Sequence, residues 1–416
     1  MIYYIDPGTG SMLLTILIGI VGTMYYVLRL NLAKLKMRLS LGKSSELANE
    51  KLPMVIFSDD KRYWNVFEPI CRKLKERDIN IVYMTASPDD PALECDYDNV
   101  DGRFIGEGNK AFAKLNFMKA NILLSTTPGL DVYQWKRSKE VDYYIHILHA
   151  ASDVTLYRMF GLDYYDAVLL SGEYQAQDIR NLEKIRNLPP KELVKIGIPY
   201  MDEMVKRLEN AEPIEKKETI VLLAPSWGPN AIFSKYGGKI IDALLKTDYH
   251  IIIRPHPQSF KSETEMMDKL MAAYPESERL EWNRDNDNFE VLRKSDILIS
   301  DFSGVVFDFT LVYDKPIIYT EADFDKGPFD AWWLDTPYWT ETALPRLGEM
   351  LTEENLPQIE EVIKRCLTDP KYAQGREEAR RETWEYQGEG TDRAVDYLLS
   401  KYEELTAKDN AGRNIA

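Results

Sequence analysis

Residues 295–319 read SDILISDFSGVVFDFTLVYDKPIIY. The apolar run 297–299 predicts a short buried strand, and the small residues of 300–304 predict a turn. Residues 305–312 have the apolar spacing of a helix, which Lys315-Pro316 ends before a second strand at 317–319. This order of strand, turn, helix and strand is typical of a parallel α/β sheet, and it leaves backbone N–H groups unpaired where the helix begins.

The turn has the composition of a diphosphate-binding site. Ser303 adds a hydroxyl at the predicted N-cap, and the N–H of Gly304 follows it, so both groups are candidates to hold phosphate oxygens. Asp301 and Asp308 flank the turn and are candidates to orient it or to bind hydroxyls, because like charges repel. The simpler alternative is that Ser303 only caps its helix and that Asp308 is an ordinary first-turn acid.

A second polar motif, Arg254-Pro-His256-Pro257, directly follows the apolar run 251–253. Because the carboxyl ends of parallel strands share one edge of a sheet, His256 and Ser303 are expected at the same edge, where α/β proteins bind ligands. Arg254 either screens the charge of a ligand or pairs with a nearby acid, and the pattern leaves both roles open.

Apolar strand patterns alternate with helical patterns from residue 53 onward, which predicts two doubly wound parallel sheets. The polar, proline-containing stretch 209–218 predicts a linker between them. The predicted strands are 54–57, 79–83, 121–125, 143–148 and 167–170, then 220–224, 249–254, 297–300 and 316–319. The predicted units are a membrane segment (1–45), a first domain (51–208), a second domain (219–387) and a closing helix with its tail (388–416).

Composition narrows the class of protein. A net charge of −16 argues against nucleic-acid binding, since nothing offsets phosphate repulsion. The three cysteines are widely spaced and predict reduced thiols. The Asp-x-Asp pairs are no more frequent than chance predicts, so no obligatory metal is assigned, and Mg²⁺ bound to a donor diphosphate is left open.

Residues 7–28 contain no charged side chain and are long enough to cross a bilayer. The segment 1–43 also holds five basic residues and one acidic residue, and all five basic residues follow the apolar run. The positive-inside rule then predicts a single-pass membrane protein with its N-terminus outside and the later domains in the cytoplasm. A core helix of a soluble domain is the alternative.

Several short motifs, taken in their order and spacing, are similar to those of a known family. The chain resembles the CDP-glycerol glycerophosphotransferase family, the teichoic-acid glycerol and ribitol phosphate transferases, over about residues 51–402. Where that family usually has His-Gly-Thr-Pro-Leu-Lys, this chain has His149-Ala-Ala-Ser-Asp153. The motifs are Tyr144-Ile-His146-Ile-Leu148-His149-Ala150, 165–173, Gly197-Ile-Pro199-Tyr-Met-Asp202, Leu223-Ala-Pro225-Ser-Trp227, Arg254-Pro-His256-Pro257, 300–308 and Gly388-Glu-Gly390-Thr-Asp392-Arg393.

The resemblance implies a GT-B fold, in which the two sheet domains face a cleft, the first domain takes the acceptor and the second binds the donor. It implies that His149 is the catalytic base and that His256 hydrogen-bonds the donor diphosphate, with Ser303 and Gly304 on the phosphate oxygens. His146 is the rival base, and a core histidine is the structural alternative for His149.

The implied activity is a membrane-anchored transfer of glycerol phosphate, or a related polyol phosphate, from a CDP-activated donor to a lipid-linked or cell-surface glycan precursor. The implied partners are CDP-glycerol or a similar CDP-polyol, that acceptor, and the membrane. A GT-B glycosyltransferase that uses a nucleotide-diphosphate sugar and a non-catalytic, membrane-tethered nucleotide-binding relative are the alternatives.

Overall fold

The computed structural model divides the chain into two units, Met1–Lys51 and Leu52–Ala416. Apart from Met24, the predicted transmembrane helix and the basic segment that follows it lie outside the described residues. In the part of the chain that is described, no helix is long and apolar enough to cross a membrane. The described residues are Met24, 51–215, 218–285, 287–301, 303–321 and 325–413.

The first domain is built on a parallel sheet, which has seven strands within the described range 51–215. The strand order is β3-β2-β1-β4-β5-β6-β7, so the chain reverses its direction of growth between β1 and β4. This reversal point is where doubly wound sheets open a ligand crevice. The strands are β1 (Leu52–Ser58), β2 (Ile81–Thr85), β3 (Val100–Phe104), β4 (Ala120–Ser125), β5 (Val141–Ile147), β6 (Ala167–Leu170) and β7 (Glu192–Lys195).

The central strands β1 and β4 are apolar on both faces because helices cover the sheet on both sides. Val55 lies opposite Leu123 in the register, and Leu123 lies opposite Tyr144 of β5. These three side chains are fully buried. The continuous apolar runs in the sequence are therefore strands of a covered parallel sheet.

The second domain has the same design, with six parallel strands among the described residues from 218 to 351. Their order is β10-β9-β8-β11-β12-β13, and the reversal point lies between β8 and β11. The stretch 295–319 supplies the adjacent strands β11 and β12, as its sequence predicts. The strands are β8 (Ile220–Leu223), β9 (His250–Ile253), β10 (Leu280–Trp282), β11 (Ile297–Ser300), β12 (Ile317–Thr320) and β13 (Gly348–Leu351).

Helices connect the strands and cover both sheets. In the segment predicted as one helix after β11, a single α-helical turn passes directly into a π-helical turn, Asp308–Val312. The α-helices are Trp64–Glu76, Asn109–Leu115, Glu173–Arg186, Pro199–Glu209, Ile232–Tyr236, Lys239–Leu245, Ser259–Ser262, Thr264–Ala273, Phe289–Lys294, Val305–Phe307, Trp339–Leu347, Ile359–Thr368, Pro370–Thr383 and Gly390–Arg413. Short 3-10 turns occupy Lys61–Tyr63, Pro91–Leu93, Val154–Leu156, Asp330–Trp333 and Leu356–Gln358.

The prediction of two doubly wound parallel-sheet domains is confirmed by the two sheets. The predicted linker 209–218 falls between the helix that ends at Glu209 and β8, and residues 216–217 of it lie outside the described residues. The connection between β2 and β3 contains the turn Pro91–Leu93.

The C-terminal helix Gly390–Arg413 returns to the first domain. Its buried residues Ala394, Val395 and Leu398 belong to the same apolar core as Ile56 and Ile122. The segment that precedes this helix passes very close to the first domain at Gly197, where a Cβ atom would lie 2.3 Å from the carbonyl oxygen of Glu385. Gly197 also has φ +89°, which other residues rarely adopt.

Candidate active site

Polar residues of the first domain gather at the carboxyl ends of three neighbouring strands. Asp59 follows β1, Thr126 and Thr127 follow β4, and His149 follows β5. The Thr127 hydroxyl donates to Asp59 Oδ1 at 2.8 Å, and Thr126 Oγ1 lies 2.9 Å from His149 Nδ1. Two consecutive threonines therefore hold a carboxylate and an imidazole at the reversal point of the sheet.

His149 is held in the neutral form that a general base requires. Burial lowers the pKa of His149 to about 4, and the nearby Arg62 guanidinium lowers the pKa further in the same direction. The ring of Tyr63 packs on the imidazole with 4.8 Å between centroids. When Nδ1–H donates to Thr126, Nε2 carries the lone pair, so His149 can accept a proton from a bound hydroxyl.

His146, the rival base, lies inside the domain core. It is fully buried within β5, and its Nε2 lies 3.2 Å from the Tyr157 hydroxyl. Among the described residues its Nδ1 has no hydrogen-bond partner. Burial lowers the pKa of His146 well below its ordinary value. A substrate at the sheet edge can reach His149 without entering the core, whereas His146 is enclosed.

The residues after His149 connect the first domain to the second. Asp153 is buried, and its carboxylate accepts hydrogen bonds from the N–H of Trp339 at 2.5 Å and of Thr340 at 3.0 Å. It thus occupies the N-terminus of the second-domain helix Trp339–Leu347, where unpaired backbone N–H groups need an acceptor. The loop that carries His149 is therefore anchored on the opposite domain.

Trp339 also contacts the turn that follows β11 of the second domain. The centroid of its ring lies 5.0 Å from that of Phe307 and 5.0 Å from that of Tyr174 of the first domain. Phe307 belongs to the helical turn that follows Ser303. A continuous set of contacts thus connects the predicted phosphate-binding turn to the loop of His149.

His256 follows β9 of the second domain and is partly exposed. Its Nδ1 accepts a hydrogen bond from the backbone N–H of Gln258 at 3.1 Å. This bond places the ring proton on Nε2, where it can be donated to an anionic ligand. Burial lowers the pKa of His256, and Arg62 lowers it too, while Asp301 acts in the opposite direction.

Arg62 belongs to the first domain, yet its charge depresses the pKa of both His149 and His256. Asp60 fixes this arginine by accepting from its backbone N–H at 2.9 Å and from its Nε at 3.0 Å. The two histidines, one from each domain, consequently share the electrostatic field of a single guanidinium.

Arg254, the first residue of the motif Arg254-Pro-His256-Pro257, is turned toward β10 and the residues that follow it. Its guanidinium donates to the Asn283 side chain and, at 2.7 Å, to the carbonyl oxygen of Asp285. Burial lowers the pKa of Arg254. The structure thus gives Arg254 amide and carbonyl partners, and the acids at 285 and 287 act on it only through their charge.

In the turn after β11, Asp301 stabilises the neighbouring loop, while Ser303 and Gly304 are accessible to solvent. Asp301 is buried and accepts hydrogen bonds from the backbone N–H groups of Ser226 and Ile232, so it fixes the neighbouring loop. Ser303 Oγ lies 3.5 Å from the N–H of Val305, a long contact that leaves the hydroxyl available. Gly304 is exposed, and no atom lies within 4 Å of a Cβ placed there.

Asp308 lies in the π-helical turn behind Gly304. Burial raises the pKa of Asp308 to about 7, so the side chain is partly protonated near neutral pH and can donate a hydrogen bond. The described residues contain no group of three or more His, Cys, Asp or Glu side chains arranged to hold a metal ion.

The sequence interpretation named the two histidines and the donor-side turn, and the structure shows four further groups at the first-domain edge. These are Asp59, Arg62, Tyr63 and Thr126. One sequence feature could have predicted these groups, namely the pair Asp59-Asp60 directly after an apolar strand. In a doubly wound sheet, ligands bind at the carboxyl ends of such strands. Nothing local in the sequence indicates that Tyr63 folds back over His149.

Comparison with known proteins shows a similarity to one family. Residues 161–331 match the profile described as CDP-Glycerol:Poly(glycerophosphate) glycerophosphotransferase. A teichoic acid glycerol-phosphate primase of Bacillus spizizenii is 25% identical over 173 residues, which are 39% of this chain and 41% of the relative. Over residues 161–331 the chain is therefore similar to the CDP-glycerol glycerophosphotransferase family. The matched region contains His256, Ser303 and Gly304, whereas His149 lies before it.

Another curated relative and a solved structure are also similar to this chain. A teichoic acid poly(glycerol phosphate) polymerase of the same organism is 26% identical over 177 residues, 39% of this chain and 42% of the relative. The chain therefore matches about two fifths of the length of these curated relatives. A solved wall teichoic acid polymerase has a TM-score of 0.54 at 16% identity, covering 92% of this chain and 97% of that one.

A solved enzyme of a different class has a similar fold. A UDP-GlcNAc 2-epimerase from Neisseria meningitidis, solved with UDP-GlcNAc, has a TM-score of 0.54 at 13% identity and covers 84% of this chain and 100% of that one. At these identities the likeness shows the fold alone. The two parallel-sheet domains thus form a GT-B-like fold, and the chemistry has to be argued from the site.

Proposed function

We propose that the protein transfers glycerol phosphate, or a related polyol phosphate, from a CDP-activated donor to a hydroxyl group of an acceptor. The observation that carries this proposal is that His149 and His256, one from each domain, each follow the carboxyl end of a parallel strand, while Asp153 anchors the loop of His149 on the second domain. The similarity of residues 161–331 to the glycerophosphotransferase profile supports the choice of donor.

The transfer consists of one substitution at phosphorus. The acceptor oxygen forms a bond to the β-phosphorus of the CDP-polyol, the bond from that phosphorus to the bridging oxygen breaks, and CMP leaves. The acceptor hydroxyl gives its proton to Nε2 of His149, which is neutral because its pKa is lowered to about 4. A neutral imidazole held at an open sheet edge suits this step.

The CDP-activated substrate is bound by groups that donate hydrogen bonds to its diphosphate. In the proposal, His256 gives its Nε2–H to the diphosphate, since its Nδ1 is already occupied by the N–H of Gln258. The Ser303 hydroxyl and the Gly304 N–H hold phosphate oxygens, and Arg62 offsets the charge that develops on the leaving CMP. Asp301 fixes the turn from below through the loop at 226–232.

The proposal includes no obligatory metal, because Arg62 and the hydrogen-bond donors can stabilise the charge of the phosphates. Turnover in the presence of EDTA tests this point. Retained activity supports the proposal, and activity that disappears with EDTA and returns with Mg²⁺ contradicts it.

For the acceptor and the location, we propose a lipid-linked or cell-surface teichoic-acid precursor and an enzyme anchored by residues 7–28, with its catalytic domains in the cytoplasm. The support is the uncharged run followed by a basic cluster in the sequence. External protease applied to intact cells should then leave the catalytic domains uncut, while a catalytic domain digested from outside contradicts the proposed orientation.

The decisive experiment measures nucleotide release by the purified protein with CDP-glycerol, CDP-ribitol and two UDP-sugars. CMP release that depends on an acceptor supports the proposed function. Release of UDP from a sugar donor, without turnover of either CDP-polyol, would show a sugar transferase instead. The variant His256→Ala separates enzymatic release from contamination, because it removes a donor-side group and leaves His149 in place.

A further inference from the structure

Asp59 is a carboxylate of the first-domain site to which the proposed mechanism gives no task. It comes directly after β1 and keeps access to solvent. Its Oδ1 accepts a hydrogen bond from Thr127 at 2.8 Å, and Thr127 is its one hydrogen-bonding side-chain partner among the described residues. The group therefore retains capacity to accept a further hydrogen bond at the open edge of the sheet.

Asp59 and His149 are positioned together by the same short segment after β4. Thr127 holds Asp59, and the adjacent residue Thr126 holds His149. Because both threonines are in one connection, a displacement of that segment changes the position of the carboxylate and the base at once.

The chain between Asp59 and Tyr63 wraps around the same place. Asp60 accepts from the N–H of Arg62 at 2.9 Å, which closes the turn. Tyr63 then packs on the imidazole of His149 with 4.8 Å between ring centroids. The turn from Asp59 to Tyr63 therefore lies next to His149.

The chemistry of a ligand for Asp59 follows from its charge and surroundings. Desolvation by neighbouring atoms raises the pKa of the Asp59 carboxylate, although the residue is exposed, and the Thr127 hydrogen bond opposes that shift. A carboxylate repels phosphate, so it is unsuited to the donor diphosphate, whereas a neutral hydroxyl can donate to its free lone pairs. Hydroxyl groups close to the base belong to the acceptor.

We propose that Asp59 binds a second hydroxyl of the acceptor, next to the hydroxyl that His149 deprotonates. The acceptor class is then a polyol or sugar terminus with two adjacent hydroxyls, and a simple alcohol is a poor acceptor. This inference rests on the proposed transfer reaction, and it assigns Asp59 to acceptor specificity rather than to proton transfer.

The test compares two soluble acceptors in CMP release from CDP-glycerol. They are glycerol 3-phosphate and 3-hydroxypropyl phosphate, which lacks only the second hydroxyl. The ratio of their kcat/KM values in the unaltered protein should be about 10- to 100-fold, the effect of one hydrogen bond to a charged group. In Asp59→Ala the ratio should fall to about one.

Matched variants separate specificity from folding. Thr127→Val removes only the hydroxyl that orients Asp59, and the ratio should fall partly. Asp98→Asn removes an acidic side chain that is 84% exposed and paired with Lys75, and the ratio should remain that of the unaltered protein. If Asp59→Ala does not fold, Asp59→Asn and Thr127→Val provide the measurement.

Each other outcome has a definite meaning. An unaltered protein that does not prefer glycerol 3-phosphate, or an Asp59→Ala variant with the original ratio, overturns the inference alone. Loss of CMP release with both acceptors in a folded Asp59→Ala variant shows a direct part in the chemistry and also overturns the inference. An unaltered protein that releases no CMP from any CDP-polyol overturns the proposed function and this inference with it.

Discussion

The low pKa of His149 gives a quantitative expectation for the pH dependence of the reaction. A base is active only while it is unprotonated, so kcat/KM should stay level as the pH falls until it approaches the pKa of the free enzyme. That pKa is lowered to about 4 by burial and by Arg62. At pH 5.5 about 97% of such an imidazole is neutral, against about 9% of an ordinary histidine.

The assay is the initial rate of CMP release between pH 5 and 8 at low donor concentration and constant ionic strength. We expect less than about a twofold loss of kcat/KM from pH 7.5 to 5.5, where an unperturbed histidine base would lose about tenfold. A half-maximal rate near pH 6.5 would refute the assignment of the base to His149 in this environment.

The variant Arg62→Gln tests whether the Arg62 charge contributes to the low pKa of His149. Removing the guanidinium takes away a charge that disfavours imidazolium, so the acid limb of the profile should move to higher pH. A profile that stays in place in this variant would leave burial as the sole cause. The matched variant Arg77→Gln removes a surface arginine that pairs with Asp396, and it should leave the profile unchanged.

The same shift affects stability, so folding has to be followed at each pH. A histidine whose pKa is lowered on folding favours the folded state above its unfolded pKa of ~6.5 and loses that contribution as the pH falls. For His149 the loss is on the order of 1 kcal/mol at pH 5.5. Circular dichroism at every pH distinguishes a catalytic effect from partial unfolding.

Three further predictions concern single residues. His256→Ala should lower turnover about 10²- to 10³-fold without unfolding the protein, because it removes a hydrogen-bond donor to the charge that develops on the phosphate. Steady-state rates measure the turnover, and circular dichroism measures the folding. Asp153→Ala should lower the free energy of unfolding by about 2–4 kcal/mol in urea titrations, since it leaves two buried helix N–H groups without an acceptor. Gly197→Ala should cost at least ~2 kcal/mol in the same assay, because the new Cβ meets a carbonyl oxygen and φ is positive.

Controls for these variants come from the same chain. Asp153→Asn keeps one acceptor oxygen and should recover part of the stability, and an equal loss in both variants would contradict capping as the reason. Gly108→Ala is also at positive φ but meets no atom within 4 Å, so it isolates the backbone cost from the clash. Near-normal turnover in His256→Ala would remove His256 from the mechanism.

Buried strands could be predicted from the sequence where both faces of a strand are apolar. The predicted 167–170 and 297–300 coincide with β6 and β11, because continuous aliphatic runs have few other uses in an α/β domain. Strands β3, β7, β10 and β13 were missed. They are three to five residues long, lie at the edges of the two sheets and carry polar side chains, so their pairing depends on the neighbouring strand more than on their own pattern.

The site was predictable only where a motif ends a strand. His256 follows an isoleucine run and is placed by it, whereas the contact of Asp153 with Trp339 joins residues 186 positions apart. No periodicity in either segment encodes that contact. The role of Arg62 was hidden for the same reason, since its influence on His256 depends on how the two domains face each other.

The return of the C-terminal helix to the first domain has a consequence for synthesis on the ribosome. Ala394, Val395 and Leu398 complete a core whose other members, such as Ile56 and Ile122, are translated far earlier. At ordinary elongation rates the first domain waits about ten to forty seconds for these side chains after Glu209 has been made. During that interval an apolar face of the first-domain sheet is uncovered, so the nascent chain is a substrate for chaperones. For the same reason, truncation of the C-terminal helix should destabilise the first domain, although the deleted residues are far from it in sequence.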